Sequence, residues 1–275
     1  MLRIPFGVVF LAGALRVLAI PDFTQGFETG TSHWHDSSTG WTGTLQRVAS
    51  GTDGIASAAG SWHAVMNGSP LYDGTLPVGP YSGYGTDNSF NPAALVSLDV
   101  YLDSTGWGLG TGFDLTTAMS NQAGAHLRDY MFHVGVVDDG GGAQLLVNAS
   151  TYSAYEVDSG FLPAESSYAV TTSGWYTFEF DVQNGGGFLA LDLNLRDSAG
   201  LLLWSADIGA PQDLIATVAG GPYYTWFAFV DTNNGVLDGV AVDNHIYRVP
   251  EPSTLVALLL VLALGGLSRT SRRIA

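Results

Sequence analysis

Two carboxylates one residue apart, Glu179-Phe180-Asp181, form the first arrangement in the chain that could do chemistry. They fall inside Trp175-Tyr-Thr-Phe-Glu-Phe-Asp-Val182, where apolar residues recur at every second position, so a strand puts both acids on one face. Paired carboxyl groups about 5 Å apart are the machinery of a retaining glycosidase, one as nucleophile and the other as general acid. The simpler reading is the wet face of a half-buried strand. His33-Trp34-His35-Asp36 sets two imidazoles on one side of an extended segment, and His63 is the only nearby third ligand that a Zn²⁺ or Cu²⁺ site would need. A polar, aromatic loop explains the same residues with less. The third arrangement is Gly79-Pro-Tyr-Ser-Gly-Tyr-Gly85, where Tyr81 and Tyr84 precede Asp87 and Asn88. Sugars stack their apolar faces on such rings and take hydrogen bonds from Asp and Asn. Trp34 and Trp41 lie in similar surroundings. Against this, both tyrosines can instead pack down over the edge of the fold.

Composition removes several classes of function. The 275 residues carry 25 acids against nine basic residues, a net charge of −16, and contain no lysine. Between residues 21 and 249 the basic side chains are Arg47, Arg128, Arg196 and Arg248. Nucleic acid and anionic membrane surfaces both demand basic patches, so neither is an expected partner. Without lysine there is no Walker A loop, Schiff base or Ser-x-x-Lys nucleophile. Without cysteine there is no disulfide, thiolate metal site or thiol nucleophile, and the core alone must hold the fold. No Gly-x-Ser-x-Gly elbow occurs, and Gly108-Leu-Gly-Thr-Gly112 has no helix after it to complete a phosphate cradle.

The elements that must position these residues are strands. Ala94–Leu102, Tyr130–Val137, Gln144–Val147, Trp175–Val182 and Phe188–Leu195 alternate with period 2, as do Leu201–Trp204, Tyr223–Val230 and Val240–Tyr247. Asp138-Asp-Gly-Gly-Gly142, Asn184-Gly-Gly-Gly187, Asp197-Ser-Ala-Gly200 and Asn233-Asn-Gly235 supply the turns between them. Asp231–Asp238 has too few acids for a calcium loop and is better read as a hairpin. Short strands at hairpin spacing with almost no helical pattern predict an all-β, antiparallel two-sheet sandwich.

The two ends read differently. Met1-Leu-Arg3, the apolar Ile4–Leu15 and small residues that offer a cut after Ala14 or after Ala19 are the parts of a signal peptide. At the other end Pro250-Glu251-Pro252 is followed by an apolar run from Leu255 to Leu267 and then by Arg269, Arg272 and Arg273. The prolines keep the motif extended. The apolar run rises about 20 Å as a helix against a hydrocarbon core of about 30 Å, short for a permanent span and suited to a stop-transfer. The arginines stay cytoplasmic. This order resembles the PEP-CTERM sorting signal of exported proteins in Gram-negative bacteria that make exopolysaccharide, a tail also classed as the ice-binding protein C-terminal domain. The resemblance implies recognition and cutting by exosortase at Pro250, Glu251 and Pro252. It also implies passage through the inner membrane by residues 255–267, and a final place at the cell surface or in the extracellular matrix. A plain membrane anchor is the alternative.

The body also resembles a jelly roll of the concanavalin-like or carbohydrate-binding-module kind. The Phe23-Thr-Gln-Gly-Phe-Glu28 segment opens it and a Val-Asp-Asn strand, Gly239–Tyr247, closes it. Such modules join first and last strands through a structural calcium ion, which implies Glu28 and Asp243 as its oxygen ligands. Sandwich glycosidases similar to the laminarinase group place a second Glu two or three residues after Glu-x-Asp. Here those positions are Gln183 and Asn184, which cannot transfer the proton, so the chain reads as non-catalytic. The expected organisation is a signal peptide (1–20, a signal helix), a β-sandwich jelly roll (21–249) and a sorting signal (250–275) with a short hydrophobic helix. The expected role is an exported surface or matrix protein associating with extracellular polysaccharide. A glycoside hydrolase or lyase on the same sandwich, and a structural envelope protein without a small ligand, are the alternatives.

Overall fold

Alternation is carried through into the coordinates. The computed structural model describes residues 23–70, 77–84, 93–138, 140–152, 167–231 and 239–249. The chain begins with β1 (Phe23–Gln25), β2 (Trp34–His35), β3 (Thr44–Ala49), β4 (Trp62–Asn67), β5 (Ser69–Pro70) and β6 (Pro77–Gly83). There follow β7 (Ala94–Leu102), β8 (Thr111–Asn121), β9 (His126–Asp138), β10 (Ala143–Tyr152), β11 (Tyr168–Val170) and β12 (Gly174–Asn184). It ends with β13 (Phe188–Asp197), β14 (Leu202–Asp207), β15 (Ala210–Leu214), β16 (Ala219–Asp231) and β17 (Val240–Arg248). Among the described residues no helix is long and apolar enough to cross a membrane. The expected signal and tail helices lie outside the described residues.

Two antiparallel sheets pack face to face as a jelly-roll sandwich. The first runs β14-β13-β12-β7-β17-β4-β3, with β1 joined to β17 and β15 to β13. The second runs β11-β10-β9-β8-β16-β6-β2, with β5 joined to β6. The opening segment meets the closing strand directly, since Phe23 faces Tyr247 and Gln25 faces His245 across the β1–β17 ladder. The expected turns close as their residues dictate. Asn184 Oδ1 accepts from the amides of Gly186 (3.1 Å) and Gly187 (2.7 Å), and Gly187 stands at φ 107°, where a side chain would be strained.

The core lies between the sheets. Val96, Leu98 and Val100 of β7, Phe178 and Phe180 of β12 and Leu191 and Leu193 of β13 face Phe113 and Leu115 of β8, Phe132 and Val134 of β9 and Phe227 and Phe229 of β16. Phe132 meets Phe178 at 4.9 Å and Phe180 at 5.0 Å between centroids, both edge to face, the preferred geometry for aromatic pairs. A buried Arg128–Asp213 pair, 2.5 Å from Nε to Oδ2, ties β9 of one sheet to β15 of the other. Because Phe132 fills the centre of the aromatic cluster, Phe132→Ala should lower unfolding stability by about 3–5 kcal/mol in denaturant titration. A loss under about 1 kcal/mol would mean that the sheets do not pack through this ring.

Candidate functional site

The outer face of the second sheet carries the densest polar and aromatic chemistry. With Phe113 and Leu115 turned inward on β8, Asp114 and Thr116 turn outward; with Phe132 and Val134 inward on β9, Met131 and His133 turn outward. Asp114 stands directly across from His133, which stands across from Asn148 on β10. His133 Nδ1 lies 2.6 Å from Asp114 Oδ1, and His133 Nε2 lies 2.5 Å from Ser150 Oγ. With Asp114 ionised and the imidazole neutral, Nδ1 donates to the carboxylate and Nε2 is left to accept from the Ser150 hydroxyl. Both His133 and Asp114 are 1% exposed, whereas Ser150 is only half-buried. A hydroxyl, an imidazole and a carboxylate are thus in line across β10, β9 and β8, with the hydroxyl nearest solvent.

Toward β2 the same face turns aromatic. Residues in register across the sheet are His35, Tyr81, Trp226, Thr116, Met131 and Ser150, one row running from β2 to β10. His35 stacks on Tyr81 at 4.8 Å, Trp41 meets Tyr81 edge-on at 5.0 Å, and Tyr224 meets it at 6.2 Å. Trp41 is 47% exposed, and its indole Nε1 donates to Gly79 O at 3.1 Å, so the ring is held while its face stays in solvent. Behind the platform, Val78, Trp226 and Ala228 form a small buried cluster.

The two tyrosines expected to act together are divided. Tyr81 lies in the platform. Tyr84 corrects the expectation: it turns to the interior, stacks on Tyr247 at 4.6 Å, and its hydroxyl meets Thr225 Oγ1 and His245 Nε2. The ring is partly buried, with one face stacked on Tyr247. Thr225 in turn bonds Thr117 at 2.9 Å, so this buried network links β17 of the first sheet to β16 and β8 of the second. Burial holds the Tyr84 phenol well above its usual pKa. Asp87, Asn88, Pro250, Glu251 and Pro252 lie outside the described residues.

Glu28 and Asp243 do converge, on the segment between β3 and β4. Glu28 Oε1 accepts from the amides of Ser61 (2.9 Å) and Trp62 (3.0 Å), and Asp243 Oδ2 accepts from that of Ala59 (3.1 Å). Both acids therefore pin one loop through backbone hydrogen bonds. The three imidazoles weighed as metal ligands separate. His33 stacks on Phe23 at 4.5 Å, His35 lies on Tyr81, and His63, on the other sheet, bonds Ser57 and packs against Trp175. Among the described residues no three His, Asp or Glu side chains form a metal-holding group. Glu179 and Asp181 share an outer face, as period 2 requires, but Glu179 is engaged by Arg196 (3.0 Å) and Asn194 (2.9 Å), and Asp181 by Gln183 (2.9 Å).

Asp114, His133 and Ser150 come from three strands, at separations in the chain that match no motif. One signal was present: His133 interrupts an otherwise apolar run at a position where both faces of the strand are buried.

No family model matches the chain, and no curated protein matches it in sequence. Among solved structures it is similar to a GH43 glycoside hydrolase whose engineered active site displays both endo-xylanase and exo-arabinofuranosidase activity. That likeness has 12% identity and a TM-score of 0.39, over 90% of this chain and 44% of that one. It is also similar to the binding domain of botulinum neurotoxin serotype D, with 10% identity and a TM-score of 0.37, over 85% of this chain and 49% of that one. The chain spans about half the length of each. At these TM-scores neither likeness bears on function.

Two buried groups pull the pH dependence of stability in opposite directions. Burial, with His33 nearby, depresses His245 to about 3, whereas an unfolded histidine titrates near 6.5. The unfolded chain then takes up this proton first, and stability falls as pH drops from about 6.5 toward 3. Burial raises Asp243 to about 6 against about 3.9 unfolded, so here the folded chain protonates first and stability rises as pH drops from about 6 to 4. Thermal melts should show Asp243→Asn losing more stability than wild type over pH 6 to 4, and His245→Gln losing less. Parallel curves for all three would contradict the assignment.

Proposed function

We propose that the chain is an exported surface or matrix protein that associates with extracellular polysaccharide through the aromatic platform of Trp41, Tyr81, His35 and Tyr224. The observation that carries this reading is the Trp41–Tyr81 pair. One ring is exposed and pinned by a backbone carbonyl, and the other is backed by His35, so neither must be ordered when a ligand arrives. Pyranose rings present apolar faces to such surfaces, and neutral glycan tolerates an acidic protein of net charge −16 as polyanions do not. Three of the arginines among the described residues are engaged elsewhere. Arg47 lies 3.5 Å over Trp62, Arg128 pairs with Asp213 and Arg196 with Glu179.

The address belongs to the same proposal. The Pro250-Glu251-Pro252 motif with its apolar run and arginines supports export, passage through the inner membrane and processing by exosortase. Intact mass from hosts with and without exosortase reads this directly. Loss of the residues beyond Pro250–Pro252 only when the protease is present is expected; an uncut tail in both hosts would make it an anchored protein.

For the ligand, the purified protein is tested on a glycan array with and without Ca²⁺. That comparison also reads whether Glu28 and Asp243 hold an ion as well as a loop. Trp41→Ala and Tyr81→Ala should each weaken binding about five- to thirtyfold at unchanged melting temperature, since each removes a stacking face of roughly 1–2 kcal/mol. Tyr84→Phe should leave binding intact. Absence of binding by the wild type would favour a structural envelope protein.

A further inference from the structure

We propose that Ser150, His133 and Asp114 form a serine-hydrolase site that cleaves O-acyl esters. The geometry is that of a nucleophile, a general base and a positioning acid. The Ser150 hydroxyl is 2.5 Å from His133 Nε2, and His133 Nδ1 is 2.6 Å from Asp114 Oδ1. Both distances are within the reach that proton transfer requires. The burial gradient fits the roles. Asp114 and His133 sit at 1% exposure, where a carboxylate can hold one tautomer without competition from water, and Ser150 alone of the three is half-buried.

A purely structural account explains less. His133 stands in a strand whose outward neighbours include buried Met131, and an apolar side chain there would need neither Asp114 nor Ser150. The sheet instead buries an imidazole and satisfies both of its nitrogens in the one order that makes the serine more nucleophilic.

The step balances without a cofactor. Ser150 Oγ attacks the ester carbonyl as its proton passes to His133 Nε2, and Asp114 stabilises the imidazolium. The C–O bond to the alcohol then breaks, and His133 returns the proton to the departing oxygen. Water then attacks the acyl-serine carbonyl as its proton passes to His133; the bond from the acyl carbon to Ser150 Oγ breaks, His133 returns the proton to Oγ, and the carboxylic acid leaves.

Resting on the glycan reading above, the substrate class is an acyl ester carried on a polysaccharide. The platform and Ser150 lie on one register row, five strand steps or about 24 Å apart, with buried Trp226, Thr116 and Met131 between them. The acidity of the chain argues for a neutral acyl group over a phosphate ester.

The test exposes the purified full chain to a fluorophosphonate probe, maps the labelled peptide, and measures hydrolysis of p-nitrophenyl acetate. One probe on Ser150 is expected, lost in Ser150→Ala at little-changed melting temperature and slowed about 100-fold or more in His133→Gln. Asp114→Asn should lower kcat for the small ester while KM stays, since a positioning residue acts through His133. Label on another serine, no label, label without turnover, or rates indifferent to Ser150→Ala would overturn the proposal and leave a structural network. Acetate release from an O-acetylated polysaccharide separates the two readings. Preference for the polymer that disappears in Trp41→Ala and Tyr81→Ala supports both, whereas small-ester turnover without polymer preference retains the catalytic site and overturns the polysaccharide substrate.

Discussion

Strand register is the constraint on which the rest of the molecule depends. Side chains alternate with period 2, so a slip of β9 by one residue would carry Phe132 out of the aromatic core and His133 into it. The pairings of Asp114 with His133 and of His133 with Asn148 also fix Phe132 opposite its partners in the other sheet. Core packing and the alignment of hydroxyl, imidazole and carboxylate are two faces of one ladder. With no cysteine and no lysine in the chain, neither disulfides nor ammonium pairs share this task.

The scarce polar pairs act where the ladders need closing. Arg128–Asp213 and the Tyr84–Thr225–His245 network both cross between the sheets, and Glu28 and Asp243 hold the segment between β3 and β4 through its amides. Buried polar groups of this kind are costly when half-satisfied and specify one arrangement when satisfied. They compensate for a sandwich whose edges are joined by loops and glycine turns. The outward side chains of the second sheet are aromatic toward β2 and polar toward β10, and on β8 and β9 they are buried as well.

Much of the architecture was legible in the residues. Ala94–Leu102 is a strand with the expected bounds, and Trp175–Val182 and Phe188–Leu195 are the centres of β12 and β13, joined by the expected Asn-Gly-Gly-Gly turn. The first and last strands meet as their sequences suggested. β8 was missed, because its outward residues Asp114 and Thr116 are polar and yet buried, which erases the contrast that alternation relies on. The site was less legible for the same reason. Tyr81 could be picked out as a ring in a glycine-rich segment, but nothing local distinguishes it from Tyr84, whose direction is set by Thr225 and His245 more than 100 positions away. Likewise the spacing of Asp114, His133 and Ser150 acquires meaning only after β8, β9 and β10 are paired.

The tautomer of His133 tests the central claim most directly, because it depends on the register and decides what the imidazole can do. Histidine-selective ¹⁵N NMR of the folded protein at neutral pH distinguishes a protonated Nδ1 from a protonated Nε2. The present account predicts Nδ1–H donating to Asp114 and a bare Nε2 facing Ser150. A protonated Nε2 would contradict it, since the imidazole would then donate to the serine and could not take its proton.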